Sequence, residues 1–175
     1  MSAHSVPWLL NLLALYPGSQ YSNTETRGLD SDFAYNTYIA TQLDNNLLNE
    51  ILANKISLII LTGNAGDGKT AFLQYLASRL GISNHNSSRR IWEYQLPHGQ
   101  HLKVNLDGSA SWKHKTANQL LDEIFEPFAN PVYPNNLLHI VAINSGKLLE
   151  WISTQPTTNY LAQQLRNILL GTSIH

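Results

Sequence analysis

Residues 63–70 read Gly-Asn-Ala-Gly-Asp-Gly-Lys-Thr and fill every position of the pattern G-x-x-x-x-G-K-[ST], whose chemistry is the cradling of phosphate. Gly63 and Gly68 let the backbone curl until successive N–H groups point inward at an anion. Asn64, Ala65, Gly66 and Asp67 contribute backbone to that cradle, and Ala71 carries it into the following helix. The Lys69 ammonium is placed to reach β- and γ-phosphates, and the Thr70 hydroxyl to ligate Mg²⁺. Asp67 is expected to turn its carboxylate to solvent, since a negative charge beside phosphate repels it. Average composition yields such a match by chance on the order of once in 200 chains of this length, so the pattern is read as a site and not as an accidental turn.

Binding phosphate is not hydrolysing it. Hydrolysis also needs a carboxylate at a neighbouring strand end for the metal shell and a polar group that orients the attacking water. Asp107 is the carboxylate expected, because Leu102-Lys-Val-Asn-Leu106 approximates an apolar strand running into an acid. The competing reading makes Asp107 a turn former with Gly108. Gly108 also stands where a second acid is usual. Asn144 follows the apolar run Ile140-Val-Ala-Ile143, at the carboxyl edge of a sheet where ligands sit. Its amide can donate to a γ-phosphate or orient water without adding negative charge; the alternative is a helix cap beside Ser145. Asp122, Glu123 and Glu126 are read as solvating a helix, and Glu93 as a weak substitute acid on a strand. Arg89 and Arg90 read as a solvated loop rather than a phosphate clamp, and Arg166 calls for the same reading. Lys113-His-Lys115 beside Trp112 is the cluster most able to touch a nucleic-acid backbone.

The elements that must position these groups follow from periodicity. Ile56–Thr62 is β-branched and apolar, as a buried parallel strand should be. After the loop Ala71, Phe72, Leu73, Tyr75, Leu76 and Leu80 recur at helical spacing, with Gly81 as the stop. Thr41-Gln-Leu-Asp44 resembles a capping box, ahead of a helix with Leu43, Leu47, Leu48, Ile51 and Leu52 on one stripe. Residues 91–96 and 101–106 read as two strands joined by a turn. A helix is expected over 117–126, ended by Pro127, then a strand over 137–143 and a helix over about 146–152. A last helix spans 160–170 with Leu161, Leu165, Ile168 and Leu169 inward. The fold class expected is α/β: a three-layer α/β/α sandwich on a mostly parallel sheet, incomplete towards its C-terminus because only three to four strands can be placed. Residues 1–37 are read as an N-terminal helix and polar arm, and 38–175 as the nucleotide-binding domain, the front part of a larger module.

Composition narrows the chemistry further. The 175 residues include no cysteine, which removes disulfides, thiolate metal sites and a cysteine nucleophile. The seven histidines show no H-x-x-x-H spacing on a helix and are expected as surface or packing residues. A net charge of −1 supplies no field to recruit nucleic acid or an anionic membrane, and neither partner is expected. No stretch reaches the ~18 apolar residues of a membrane span. Residues 8–16 have the length of a signal-peptide core but lack a basic flank and carry Asn11, so a packed helix is expected there. A domain that uses ATP and Mg²⁺ is expected in the cytoplasm.

The loop 63–70 followed by Ala71-Phe-Leu73 resembles the Walker A segment of AAA+ and STAND-type ATPases. Ala142-Ile-Asn-Ser-Gly-Lys-Leu148 looks like the INxGxL segment at the sensor-1 strand of some bacterial ATPases of that group, including ones in phage-defence and restriction systems. The resemblance covers about residues 43–152. It implies a P-loop NTPase that binds ATP and Mg²⁺ and hydrolyses ATP to drive or switch an effector or partner, with homo-oligomer formation in view. It gives Lys69 and Thr70 the Walker A roles, Asp107 the Walker B role and Asn144 the sensor role. No sensor-2 arginine or C-terminal lid is found. A small-molecule or nucleoside kinase shares the loop, but would need an arginine-bearing lid. A non-hydrolysing, nucleotide-gated interaction module also fits, and Gly108 favours it. A GTPase is disfavoured because Asn54-Lys55 runs on into Ile-Ser and no N-K-x-D is present.

Overall fold

The computed structural model describes residues 28–30, 32–64, 66–82 and 89–171, with the backbone alone for Asp32, Phe33 and Leu170. The helix expected over 8–16, the loop residue Ala65 and residues 83–88 lie outside them. Four strands form one sheet: β1 (Leu58–Thr62), β2 (Ile91–Gln95), β3 (His101–Asn105) and β4 (Leu137–Ile143). Their spatial order is β1-β4-β3-β2. β4 runs parallel to both β1 and β3, while β2 returns antiparallel beside β3. The chain is therefore an α/β domain with a mixed, mostly parallel sheet flanked by helices.

The apolar pattern explains which strand is most buried. β4, Leu-Leu-His-Ile-Val-Ala-Ile, lies between two neighbours and is buried along nearly its whole length. Its His139 is buried with Nδ1 2.6 Å from the Ile124 carbonyl. In β3 the polar Lys103 and Asn105 interrupt the apolar run because they share the face opposite Leu102 and Val104.

Two hydrophobic clusters lie against the sheet. One gathers α2 (Gln42–Leu52) and α3 (Lys69–Arg79) through Leu48, Ile51, Phe72, Leu73 and Leu76 over Ile140 and Ala142. The other gathers α4 (Ala117–Phe125), α5 (Ser145–Thr154) and α6 (Tyr160–Leu170) through Leu121, Phe125, Trp151 and Ala162 over Val141 and Ile143. Helices thus cover both faces of the sheet.

Helix ends follow local chemistry. At α2 the Thr41 side chain accepts from the Asp44 N–H and Asp44 accepts from the Thr41 N–H, so Asp serves where Glu is usual. α3 stops at Gly81, with the Ile82 N–H on the Ala77 carbonyl and the Gly81 N–H on the Ser78 carbonyl. Pro127 ends α4 in a short 3₁₀ turn over Glu126–Phe128.

Three expectations need correction. Residues 32–37, read as arm, form a short helix, α1 (Asp32–Thr37). The arm before it clasps α3: the Leu29 N–H donates to the Gln74 carbonyl oxygen, and the Gln74 amide donates to Asp30. Ile168 and Leu169, read as inward, are 68% and 45% exposed, as are Leu43 at 58% and Leu52 at 53%. The apolar stripes of α2 and α6 are wider than the faces they bury. Asp122, read as merely solvating its helix, accepts from Trp151 Nε1 at 2.8 Å and ties α4 to α5. Among the described residues no helix is long and apolar enough to cross a membrane.

Candidate functional site

β1, β4 and β3 are parallel, so their carboxyl ends open on one edge of the sheet. Thr62 pairs with Ile143 across β1 and β4, and the loop 63–68 leaves β1 at that level. Gly63 holds φ +154°, and a Cβ there would stand 2.5 Å from Asp67 Oδ2. That carboxylate accepts from the Asn64 N–H at 2.6 Å. Asp67 is exposed as expected, yet its carboxylate turns back onto the loop instead of standing free in solvent. Lys69 Nζ donates to the Asn64 carbonyl at 2.6 Å, lying back over the loop it follows.

The first turn of α3 differs from that of every other long helix among the described residues. α2, α4, α5 and α6 each begin with a side-chain cap, from Thr41, Thr116, Asn144 and Asn159. α3 begins at Gly68, in the left-handed region at φ +77°, with no side-chain cap. The first helical bond is Phe72 N–H to the Gly68 carbonyl, so the N–H groups of Lys69, Thr70 and Ala71 have no acceptor among the described residues. Unpaired N–H groups at a helix N-terminus form a local anion site.

Asp107 lies beyond β3, and the Gly108 N–H bonds the Ala142 carbonyl at 2.7 Å, which ties this turn to the end of β4. Asp107 Oδ1 accepts from the Ser109 N–H at 3.0 Å, and Oδ2 pairs with Arg90 Nη2 at 3.1 Å. The turn-former reading of Asp107 is therefore realised, and the residue still borders the cleft. Arg90, expected in a solvated loop, is instead mostly buried, its side chain 13% exposed; Arg89 is exposed. Arg90 also donates to the Asp107 and Ser111 carbonyls. Gly108 has a packing reason: a Cβ there would meet Val141 Cγ2 at 2.8 Å and Leu121 Cδ2 at 3.0 Å. Any side chain at that position would have to displace Val141 or Leu121.

Asn144 caps α5, its Oδ1 accepting from the Lys147 N–H at 2.6 Å. Its own N–H donates to Ser109 Oγ at 2.9 Å, which links the ends of β3 and β4. The side-chain Nδ2 has no partner among the described residues. The amide can thus cap with one atom and serve the cleft with the other.

One cleft of about 710 Å³ brings these groups together. Gly66, Asp67, Gly68, Lys69, Thr70 and Ala71 form one wall, and Asp107, Ser109 and Asn144 the other. Gly63 and Asn64 stand at the loop's base, outside the lining, and Ala65 lies outside the described residues. Glu93 and Glu123 are elsewhere, paired with Lys103 and Lys115. Sequence reasoning missed Ser109 and Gly28, which both border the cleft, and misread Arg90, which holds Asp107. The spacing Asp107-x-Ser109 is a turn signal that points to Ser109. Arg90 meets Asp107 across a hairpin and carries no local signal. Among the described residues no three His, Asp or Glu side chains converge on a possible metal position. A Mg²⁺ ion would be held by the Thr70 hydroxyl and by Asp107, the remaining ligands coming from phosphate and water. The chain matches no protein-family model, and it matches no curated protein and no solved structure.

Proposed function

We propose that this chain binds ATP with Mg²⁺ in the cleft at the carboxyl edge of its sheet and hydrolyses it to switch or drive a partner, either an effector protein or a second copy. The observation that carries the reading is the unpaired first turn of α3, set in a glycine loop that also holds Lys69. Phosphate oxygens would accept from the N–H groups of Lys69, Thr70 and Ala71, and Lys69 would exchange the Asn64 carbonyl for phosphate. Mg²⁺ would supply charge neutralisation at the transferred phosphoryl group. Asn144 Nδ2 is free to donate to the γ-phosphate or to a water beside it. The strand order supports this division of labour, because β4 lies between the strand that leads into the loop and the strand that leads to Asp107.

The finer assignment, a P-loop NTPase of the AAA+ and STAND-like group with a three-layer sandwich and a cytoplasmic role, is part of the same proposal. It rests on the loop 63–71 and on the segment 142–148.

A second reading has its own observation. Both oxygens of Asp107 are engaged by Arg90 and the Ser109 N–H, and Gly108, packed against Val141 and Leu121, stands where a second acid is usual. Such an arrangement suits a module that binds nucleotide without turning it over. The test is Mg²⁺-dependent phosphate release from ATP and from GTP, beside nucleotide binding on the same sample. ATP turnover supports hydrolysis, and binding without turnover supports the module. Phosphate transfer only with an added acceptor would point to a kinase, and no binding at all would refute both leading readings.

A further inference from the structure

Arg90 immediately precedes β2, and Ile91 pairs with Asn105, so the antiparallel hairpin brings it beside Asp107, seventeen residues on. Its guanidinium is fixed by groups other than the Asp107 carboxylate. Nε and Nη2 donate to the Asp107 carbonyl at 3.0 and 2.5 Å, and Nη1 donates to the Ser111 carbonyl at 3.0 Å. The Trp112 ring lies 6.0 Å from Cζ, and the side chain is 13% exposed. The pair between Nη2 and Asp107 Oδ2 at 3.1 Å is one contact more.

Asp107 is the converse. Its N–H donates to Asn105 Oδ1 at 3.0 Å and its carbonyl is held by Arg90. The backbone is thus fixed at both polar groups, and the carboxylate, 37% exposed, is the part able to turn. When it turns, Nη2 keeps the Asp107 carbonyl as its acceptor, so the guanidinium charge stays in place.

We propose that Arg90 is a positioning residue that sets the metal demand of the cleft: its fixed positive charge holds Asp107 in the empty site and opposes any cation that shares the carboxylate. The proposal rests on the reading above that Asp107 helps to hold Mg²⁺.

The charges around the cleft point the same way. Two carboxylates, Asp67 and Asp107, and one ammonium, Lys69, are the charged side chains that line it. Arg90, behind Asp107, cancels the one negative charge left over. Gly108 stands where a second acid is usual, so a bare divalent ion meets no net attraction from this set of side chains. Phosphates must supply it. A lysine in place of Arg90 would carry the same charge but not the fork that grips two carbonyls.

The test is the affinity of the full chain for a non-hydrolysable ATP analogue at stepped Mg²⁺ concentrations, measured by calorimetry so that turnover plays no part. Arg90→Met removes the charge and keeps an apolar stem, and the Mg²⁺ concentration at half effect should fall about tenfold. Arg90→Lys should stay within about twofold of the parent in its Mg²⁺ demand. Both variants should melt lower than the parent, for want of the bonds to the two carbonyls. A purely structural role would shift the Mg²⁺ demand of both variants alike, or of neither, and either pattern overturns the inference.

Should Arg90→Met not fold, the parent decides. NMR of the Arg90 Nε–H should show slow exchange with solvent, with and without the analogue, and a shift when Mg²⁺ joins the complex. Loss of the signal, or no response to Mg²⁺, overturns the inference. Analogue binding by the parent that ignores Mg²⁺ also overturns it, while nucleotide binding stands. No binding at any Mg²⁺ concentration refutes the nucleotide reading and this inference with it.

Discussion

Two stretches of backbone border the main cleft and treat their polar groups in opposite ways. At the start of α3 the N–H groups of Lys69, Thr70 and Ala71 find no acceptor in the described protein, and Gly68 brings no side chain to cap them. After β3 the protein satisfies itself: Asp107 is held by Arg90 and Ser109, and Ser109 in turn accepts from the Asn144 N–H. The first stretch leaves its donors to solvent or to a ligand. The second closes most of its bonds on itself, with Asn144 Nδ2 among the groups left over in the described residues. The difference teaches that position beside a cleft does not separate a working group from a structural one. What separates them is whether a polar atom remains unspent.

That contrast can be broken by substitutions on the self-satisfied side, where the largest effect should fall on stability. Gly108→Ala forces a Cβ against Val141 and Leu121 and should destabilise the fold by about 1–3 kcal/mol. An unchanged urea midpoint would show that the packing there is loose.

Asp107→Asn removes the charge while keeping an oxygen for the Ser109 N–H. Nucleotide binding should stay near parental while phosphate release slows at least tenfold, about 1.4 kcal/mol of barrier. Undiminished turnover would confine Asp107 to its turn.

Asn144 sharpens the comparison because its cap and its proposed role use different atoms. Asn144→Ala should lose the cap and about 1 kcal/mol of stability. Asn144→Asp keeps the capping acceptor and deletes the Nδ2 donor. It should melt like the parent, keep its affinity for ADP and hydrolyse ATP poorly. Parental turnover in Asn144→Asp would remove the amide from the cleft's chemistry.

The smallest effect concerns His139, far from the loop. Burial pushes its pKa below the ordinary 6.5, the bond to the Ile124 carbonyl opposing that shift. The unfolded chain therefore binds the proton more readily than the folded one. The contribution is complete above about pH 6.5 and is lost as pH falls through that value towards the folded pKa. His139→Gln should flatten the fall in unfolding free energy between about pH 7 and pH 5. A parental slope in the variant would assign that pH dependence to other groups.

The loop and its flanks were legible in the sequence because local rules govern them. A β-branched run, two special glycines and a helical apolar spacing follow one another without a break over 56–81. β4 was legible to the residue for the same reason, and the hairpin over 91–105 from its apolar runs and its Gly99 turn. Arg90 was misread because its partner lies seventeen residues away across that hairpin, a distance that propensity does not reach. Ile168 and Leu169 were misplaced because apolar spacing names the stripe a helix can bury and not the width that a neighbour covers. The cap at Asn144 could not be told from a phosphate-facing amide in sequence, since both occupy the same position at a strand-to-helix turn.

The central claim is that the unpaired turn of α3 and Lys69 bind the phosphates of a nucleotide. Calorimetric titration of Mg²⁺-ATP into the parent and into Lys69→Ala tests it most directly, with thermal melting of both to confirm an intact fold. The account predicts a saturable heat for the parent, a loss of affinity of at least about 100-fold in the variant, or about 2.7 kcal/mol, and equal melting temperatures. Equal ATP affinity in the two proteins, or no heat from the parent, would contradict it.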